Sequence, residues 1–411
     1  MNRLLSYPLI DRLYLWWLGQ SSSPVCIGEL NTERAKRGVS LRYTHHWLLH
    51  GFALSEDLPL IDSEFLPDER DAAPGAVDDA RPDHWGERII RLVYGPSRLS
   101  LLEYLYFAGD ERFGALGVST SPATYLPRQP SPIPRLGDIA KIYMLIEKVL
   151  SDDPIDKSQR WLIATGAAMG GARPKALVDI DGEQWLVKFS DGDIVDTPLV
   201  EHATMTLAAQ ADIVVAPTRV VRLRDGHAVA VRRFDRQGPH RVHVQSAKVA
   251  LKATGGGIGY PQLAQLLLRR GVVEGGVAVT QMHELFRRMV FNILIDNTDD
   301  HEKNHALIAS NSNRFSLSPA FDVLPSGQAL GYQQIRVGED DTDSTLDNAM
   351  SMHQVFGLDR DAAFREIATV TNVVTNWQKH FAACGVTKRD IDSLTAQIDR
   401  PFLKDQRDAY A

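Results

Sequence analysis

The sequence predicts an α+β fold. Three observations carry that prediction: β-type runs such as LYLWWLG and CIGEL near the start, strand and turn texts around GGARPKALVDI and WLVKFS in the middle, and helical periodicity through most of the region after residue 246. With 411 residues, 44% of them hydrophobic, the chain can bury a sizeable core and has room for two or three domains. The balance of 45 Lys+Arg against 52 Asp+Glu gives a net charge of −7, which argues against a broad basic surface for nucleic acid, and no helix-turn-helix signature is found. The two cysteines, Cys26 and Cys384, lie far apart without metal-ligand spacing, so neither a disulfide framework nor a zinc ribbon is expected and a reducing cytoplasm fits. Asp11 and Arg12 interrupt the apolar N-terminal run, and no basic segment precedes it, so neither a signal peptide nor a membrane span is expected.

Residues 10 to 55 read as a small sheet whose first strand contains Tyr14, Leu15, Trp16 and Trp17. The stretch from Leu66 to His84 is rich in turn formers, and a helical pattern resumes over Leu101 to Phe107. This N-terminal subdomain is expected to span 1–122. The Pro-rich text up to Leu136 removes too many backbone donors for a helix interior or a central strand, so 123–136 is a predicted linker. A nucleotide-binding lobe follows over 137–245. It holds a helix near 137 to 150, then strand, glycine turn, strand, turn and strand from IATGAAMGGARPKALVDI through WLVKFS, a helix from Leu199 to Gln210, and β-runs in IVVAPTRVVRL and HAVAVRRFDR. Over 246–411 the pattern is helical. Met282, Leu285, Phe286, Met289, Ile293 and Leu294 share one helix face, and further helices are expected from Ala363 to Phe381 and from Lys388 to Ile398. No internal repeat is found.

The most telling text is NTDDHEKN, followed by PAFDVLP. Phosphoryl transfer asks for a positioned base, oxygen ligands for divalent cations and a phosphate cradle, and kinases place the base five residues before a metal-binding Asn. Asp299 and Asn304 have that spacing, and Asp322, on an apolar run that reads as a strand, can complete the metal pair. Asp300, four residues before Asn304, stays open as the base, and His301 reads as a residue that orients the loop. The plain alternative is a polar loop whose side chains only satisfy turn backbone. The same text also matches HExxH of zinc peptidases as His301-Glu302-Lys303-Asn304-His305. That motif needs a helix to bring both His to one face, whereas this one follows a turn and leads into the strand-like ALIA.

Gly170 and Gly171 let backbone amides approach phosphate, with Arg173 and Lys175 nearby, although Ala172-Arg173 stands where a Walker A loop needs Lys and Ser or Thr. On their own these glycines read equally as a hairpin turn. Lys188, alone on the apolar run WLVKF, reads as a phosphate-binding strand Lys with Glu201 as a candidate partner; a snorkelling edge Lys is the plain alternative. The cluster from Gly255 to Gly259 lacks strand context and a basic partner and reads as a flexible loop.

Taken together, GELNTERAKRGVSLRYTHHWL, GDERFGALGVS, GGARPKA, WLVKF, RRFDR, NTDDHEKN and PAFDVLP resemble the HipA-type toxin kinases, Ser/Thr kinases paired with a DNA-binding antitoxin in bacterial type II modules. The resemblance covers most of the chain. It implies a HipA-like kinase fold with ATP between the nucleotide lobe and the helical domain, Asp299 as base, Asn304 and Asp322 as Mg2+ ligands and Lys188 on the ATP phosphates. It also implies an adenine hinge from Arg232 to Phe234, with Asp235 reaching the ribose. The implied partners are a HipB-like helix-turn-helix antitoxin, DNA only through that antitoxin, and a protein substrate, by analogy one of the tRNA-aminoacylation machinery. A degenerate kinase fold acting as a corepressor is the non-enzyme alternative, against which the complete set of Lys188, Asp299, Asn304 and Asp322 argues. Ala168 departs from the family, which often carries there a Ser whose autophosphorylation silences the kinase. Either that brake is lacking, or another residue carries it, or the substitution disarms it.

Overall fold

The computed structural model describes residues 11–95, 99–126, 128, 132–253, 255, 257–310 and 314–410. Parts of the expected linker (127 and 129–131), Gly256 of the glycine cluster and the first ten residues lie outside the described residues. The chain forms two compact units, 1–187 with 235–244 and 188–234 with 245–411, a division that passes through the expected 137–245 lobe.

The first unit is built on an antiparallel sheet of β1 (Arg12–Trp17), β2 (Val25–Glu33), β3 (Gly38–Tyr43), β4 (Glu64–Phe65) and β5 (Leu116–Ser119), in the order β4-β3-β2-β1-β5. The register pairs Leu13 with Leu30 and Leu30 with Leu41, so the period-two side chains of three strands stack on one face. All three leucines are fully buried, worth about 1.5–3 kcal/mol each. Besides α1 (His45–His50) and α2 (His84–Tyr94), α3 (Leu101–Phe107) starts at a Ser100–Glu103 capping box and packs Leu101, Leu102 and Leu105 on that core. An aspartate at Leu30 would bury an unpaired charge in its centre.

The unit continues with α4 (Ile139–Leu150) and α5 (Trp161–Ala164). Here the expected strand before the glycine turn is corrected: Trp161–Ala164 is α-helical and Thr165–Ala168 is a 3₁₀ turn. Ala-rich text with no period-two alternation favours helix, and Leu162 to Met169 are buried without a sheet. Gly86 on α2 is required at this point, because a Cβ there would lie 2.1 Å from the Ala167 carbonyl oxygen. β6 (Lys175–Ile180) and β7 (Glu183–Lys188) then form neighbouring strands across Asp181-Gly182, both at positive φ (58° and 85°), as a tight hairpin turn demands.

The second unit opens with α6 (Thr197–Gln210), capped by Asp196 and led in by Pro198, and a hairpin of β8 (Thr218–Arg222) with β9 (His227–Arg232). The helices α7 (Ala247–Ala253), α8 (Tyr260–Arg270) and α9 (Val277–Leu294) follow. α9 is the centre of the core, and the face expected from Met282 to Leu294 is buried throughout. β10 (Ala306–Ala309) pairs antiparallel with β11 (Phe315–Leu317). The strand expected through Asp322 ends at Leu317, and Asp322 lies beyond it with φ of 60°. After α10 (Leu346–Ser351), the single helix expected over 363–381 is two, α11 (Arg360–Val374) and α12 (Trp377–Ala383), broken at Thr375-Asn376. α13 (Lys388–Ile398) matches its expected bounds, and α14 (Pro401–Ala409) adds a helix the pattern did not mark.

Candidate active site

Two carboxylates from distant parts of the second unit converge on Lys188. Its Nζ lies 2.7 Å from Glu201 Oε1 on α6 and 2.6 Å from Asp322 Oδ1. The ammonium is nearly buried, as is Glu201, whereas the Asp322 side chain is 39% exposed. Burial works against the Lys188 charge, but the Asp322 and Glu201 carboxylates overcome it and hold the group well above the usual lysine range. Lys188 is therefore an ammonium ion at every physiological pH. The pairing with Glu201 expected from sequence is present, and Asp322 is a second partner 134 residues away.

The loop after α9 separates the two candidate bases. Asp299 is exposed. Asp300 is buried, and its Oδ2 accepts from the Tyr260 hydroxyl and faces His305 Nε2 at 2.9 Å. Asn304 is buried at the loop's end, with its amide nitrogen 3.5 Å from the Asp299 carbonyl. His301 orients the turn as expected: its Nδ1 accepts from the Lys303 N–H and its carbonyl from the Asn304 N–H. The whole HEKNH text lies in turns and bends, so the helical face a zinc peptidase needs is absent from this segment. At the start of the loop, Asp296 (φ 61°) accepts from Gln397 and pairs with Arg400, both at 2.8 Å. The segment leading to Asp322 is fixed from α9: Arg288 pairs with Glu284 and donates to the Ser318 carbonyl at 2.7 Å, and the Ala320 N–H donates to Val214 O.

Asp322 and Asn304 offer a carboxylate and an amide oxygen, the hard donors that suit Mg2+ when substrate phosphates and water supply the rest, and Asp322 has an open side. Among the described residues no group of three His, Cys, Asp or Glu side chains could hold a metal without such help. Of the expected hinge, Arg232 is exposed and the Phe234 ring packs on Phe321 with centroids 5.6 Å apart.

In the first unit, Gly170 is exposed, Gly171 has φ of 103° and donates its N–H to Asp83 at 2.9 Å, and Lys175 Nζ donates to the Gly170 carbonyl. Ala168 is buried in the preceding 3₁₀ turn. Asp235, expected at the ribose, has its carboxylate fully buried in the first unit, where it accepts from the Gly114 N–H and pairs with Arg236, both at 2.8 Å. Sequence reasoning missed Tyr260, Asn292, Asp296 and Arg288, and marked His305 only as part of HEKNH. An Asn within the otherwise apolar VFNIL of α9 was the available signal for one of them.

The HipA-like C-terminal domain family matches residues 167–378, and the HipA N-terminal domain family matches residues 22–119. Y4dM of Sinorhizobium fredii, which carries a provisional kinase designation, is 30% identical over 161 residues, 35% of this chain and 37% of that protein. That alignment thus spans little more than a third of the relative's length. A chain of the solved Shewanella oneidensis MR-1 toxin–antitoxin complex of HipA, HipB and operator DNA superposes with a TM-score of 0.65, covering 96% of this chain and 99% of that one at 18% identity. The likeness shows a HipA-like α+β kinase fold, and with the C-terminal match alone covering more than half of its residues, the chain belongs to the HipA-type family.

Proposed function

We propose that the protein is an ATP- and Mg2+-dependent Ser/Thr protein kinase, the toxin of a HipA/HipB-like module. The observation that carries the reading is the convergence of Glu201 and Asp322 on Lys188 within the unit that also presents Asp299 five residues before Asn304. In this reading Lys188, kept charged and aimed by Glu201, binds ATP phosphate oxygens. Asp299 takes the proton of the attacking Ser or Thr hydroxyl, and its exposure lets a protein substrate reach it. Mg2+ bound through Asp322 and Asn304 would neutralise phosphate charge during transfer. Arg232 to Phe234 supply the adenine edge. No helix among the described residues is long and apolar enough to cross a membrane, in keeping with a cytoplasmic site of action.

The Shewanella complex contains HipB and operator DNA, which supports a HipB-like antitoxin as partner here, with DNA reached through it. The acidic net charge agrees, since the isolated chain lacks the cation excess that non-specific DNA binding needs. The substrate class proposed is a protein of the tRNA-aminoacylation machinery. Incubating the protein and its Asp299→Asn variant with a cell lysate and γ-labelled ATP tests the reading. A labelled band that appears with wild type and is absent with the variant supports it, and identification of that band names the target. Equal labelling by both proteins would refute it.

A further inference from the structure

We infer that Asp300 is a positioning residue, the keystone of a buried Tyr260–Asp300–His305 brace that presents Asp299 for proton transfer. The inference rests on the kinase reading and assigns the two adjacent aspartates different work. Five polar side chains, all nine-tenths buried or more, form one connected path under the loop. Asn297 Nδ2 donates to Asn292 Oδ1 at 3.1 Å, Asn292 Nδ2 donates to the Tyr260 hydroxyl at 2.9 Å, and that hydroxyl donates to Asp300 Oδ2. His305 Nε2 meets the same oxygen at 2.9 Å, which requires the ring proton on Nε2, and its ring packs edge-on to Tyr260 with centroids 5.2 Å apart.

The path joins the two elements that bound the loop to α8. Tyr260 opens α8 and is itself tied by its N–H to the Arg336 carbonyl, Asn292 belongs to α9, and His305 leads into β10. Burying Asp300 against Tyr260 and His305, with Asn292 behind the tyrosine, turns its neighbour to the opposite side, where Asp299 is exposed. A carboxylate enclosed by two donors has no path to a substrate hydroxyl, so Asp300 acts through geometry and Asp299 through chemistry. Proximity effects of this kind are large: a misplacement of about 1 Å costs on the order of 100-fold in rate.

The test compares Tyr260→Phe, Asp300→Ala and Asp300→Asn with wild type in the full chain, reading kcat and KM for MgATP and amide hydrogen exchange by mass spectrometry. Asn keeps an oxygen that accepts from Tyr260 and His305. Tyr260→Phe and Asp300→Ala are expected to lower kcat by roughly 10- to 100-fold, with KM changed less than about twofold. Both should speed exchange across residues 297–305 while α9 stays protected, and Asp300→Asn should recover most of the rate. If Asp300→Asn is as inactive as Asp300→Ala, Asp300 is the base and the inference is overturned. Wild-type exchange across 297–305 in Tyr260→Phe overturns it as well. Absence of phosphoryl transfer by wild type would count against the kinase reading instead, and the exchange measurement still decides whether the brace exists.

Discussion

Replacing Lys188 by Met should destabilise the second unit by about 3–5 kcal/mol, the usual cost of stranding one member of a buried ion pair. At the 2.7 Å that separates Lys188 from Glu201, an effective dielectric constant of about 20 gives roughly 6 kcal/mol of attraction. Desolvating both ions takes several kcal/mol of this back, so the intact pair contributes little net stability. Methionine keeps the aliphatic volume but removes the attraction, and leaves the Glu201 carboxylate 4% exposed with its desolvation cost unrelieved. Asp322, 39% exposed, adds only about 0–1 kcal/mol because solvent screens it. The double variant Lys188→Met/Glu201→Leu removes both charges and should recover most of the loss, while phosphoryl transfer stays abolished in both proteins. Urea unfolding, with the second unit followed through Trp377, and a turnover assay measure the two effects. A single variant within about 1 kcal/mol of wild type would refute the reasoning, as would a double variant no more stable than the single one.

Asp299→Asn should leave calorimetric MgATP binding in place and lower turnover by roughly two to four orders of magnitude, and unchanged turnover would remove Asp299 from the chemistry. The first unit should lose stability in acid through His243, whose ring is buried, donates from Nε2 to the Leu54 carbonyl and packs edge-on to Trp17. Burial holds this His at about 4 against an ordinary 6.5. The folded state therefore refuses a proton that the unfolded chain accepts, and stability is full above pH 6.5 and falls by about 3 kcal/mol by pH 4. A His243→Phe variant whose melting temperature shows the same slope between pH 6.5 and 4 would exclude this residue as the cause. Zinc should be absent by elemental analysis and chelators of zinc without effect; one tightly held zinc per chain, with activity lost on its removal, would revive the peptidase reading of HEKNH.

Much of this architecture could be read along the chain because it is local. The α9 face, the bounds of α3 and α13 and the Asp181-Gly182 hairpin follow from periodicity and turn chemistry within a few residues. The kinase-like spacing of Asp299 and Asn304 was legible for the same reason. What the pattern left open depended on partners distant in sequence. Spacing alone could not tell Asp299 from Asp300, because what distinguishes their surroundings is the burial of Asp300 against Tyr260, 40 residues upstream. The resemblance assigns Asp235 to the ribose, and the pattern could not show that Gly114, 121 residues away, donates to its carboxylate beside the adjacent Arg236. The strand read before the glycine turn was a misjudged local signal: Ala-rich text without period-two alternation favours the helix and 3₁₀ turn found there.

The tie from Asp296 to Gln397 spans 101 residues, and this has a consequence for the order in which the protein is made. At synthesis rates of about 5–20 residues per second, a growing chain exposes the Asp299 loop roughly 5–20 s before Gln397 and Arg400 are joined to it. Throughout that interval the left-handed bend at Asp296 has neither of its two distal donors. A nascent polypeptide therefore carries every proposed catalytic group before it carries the parts that hold their loop in register.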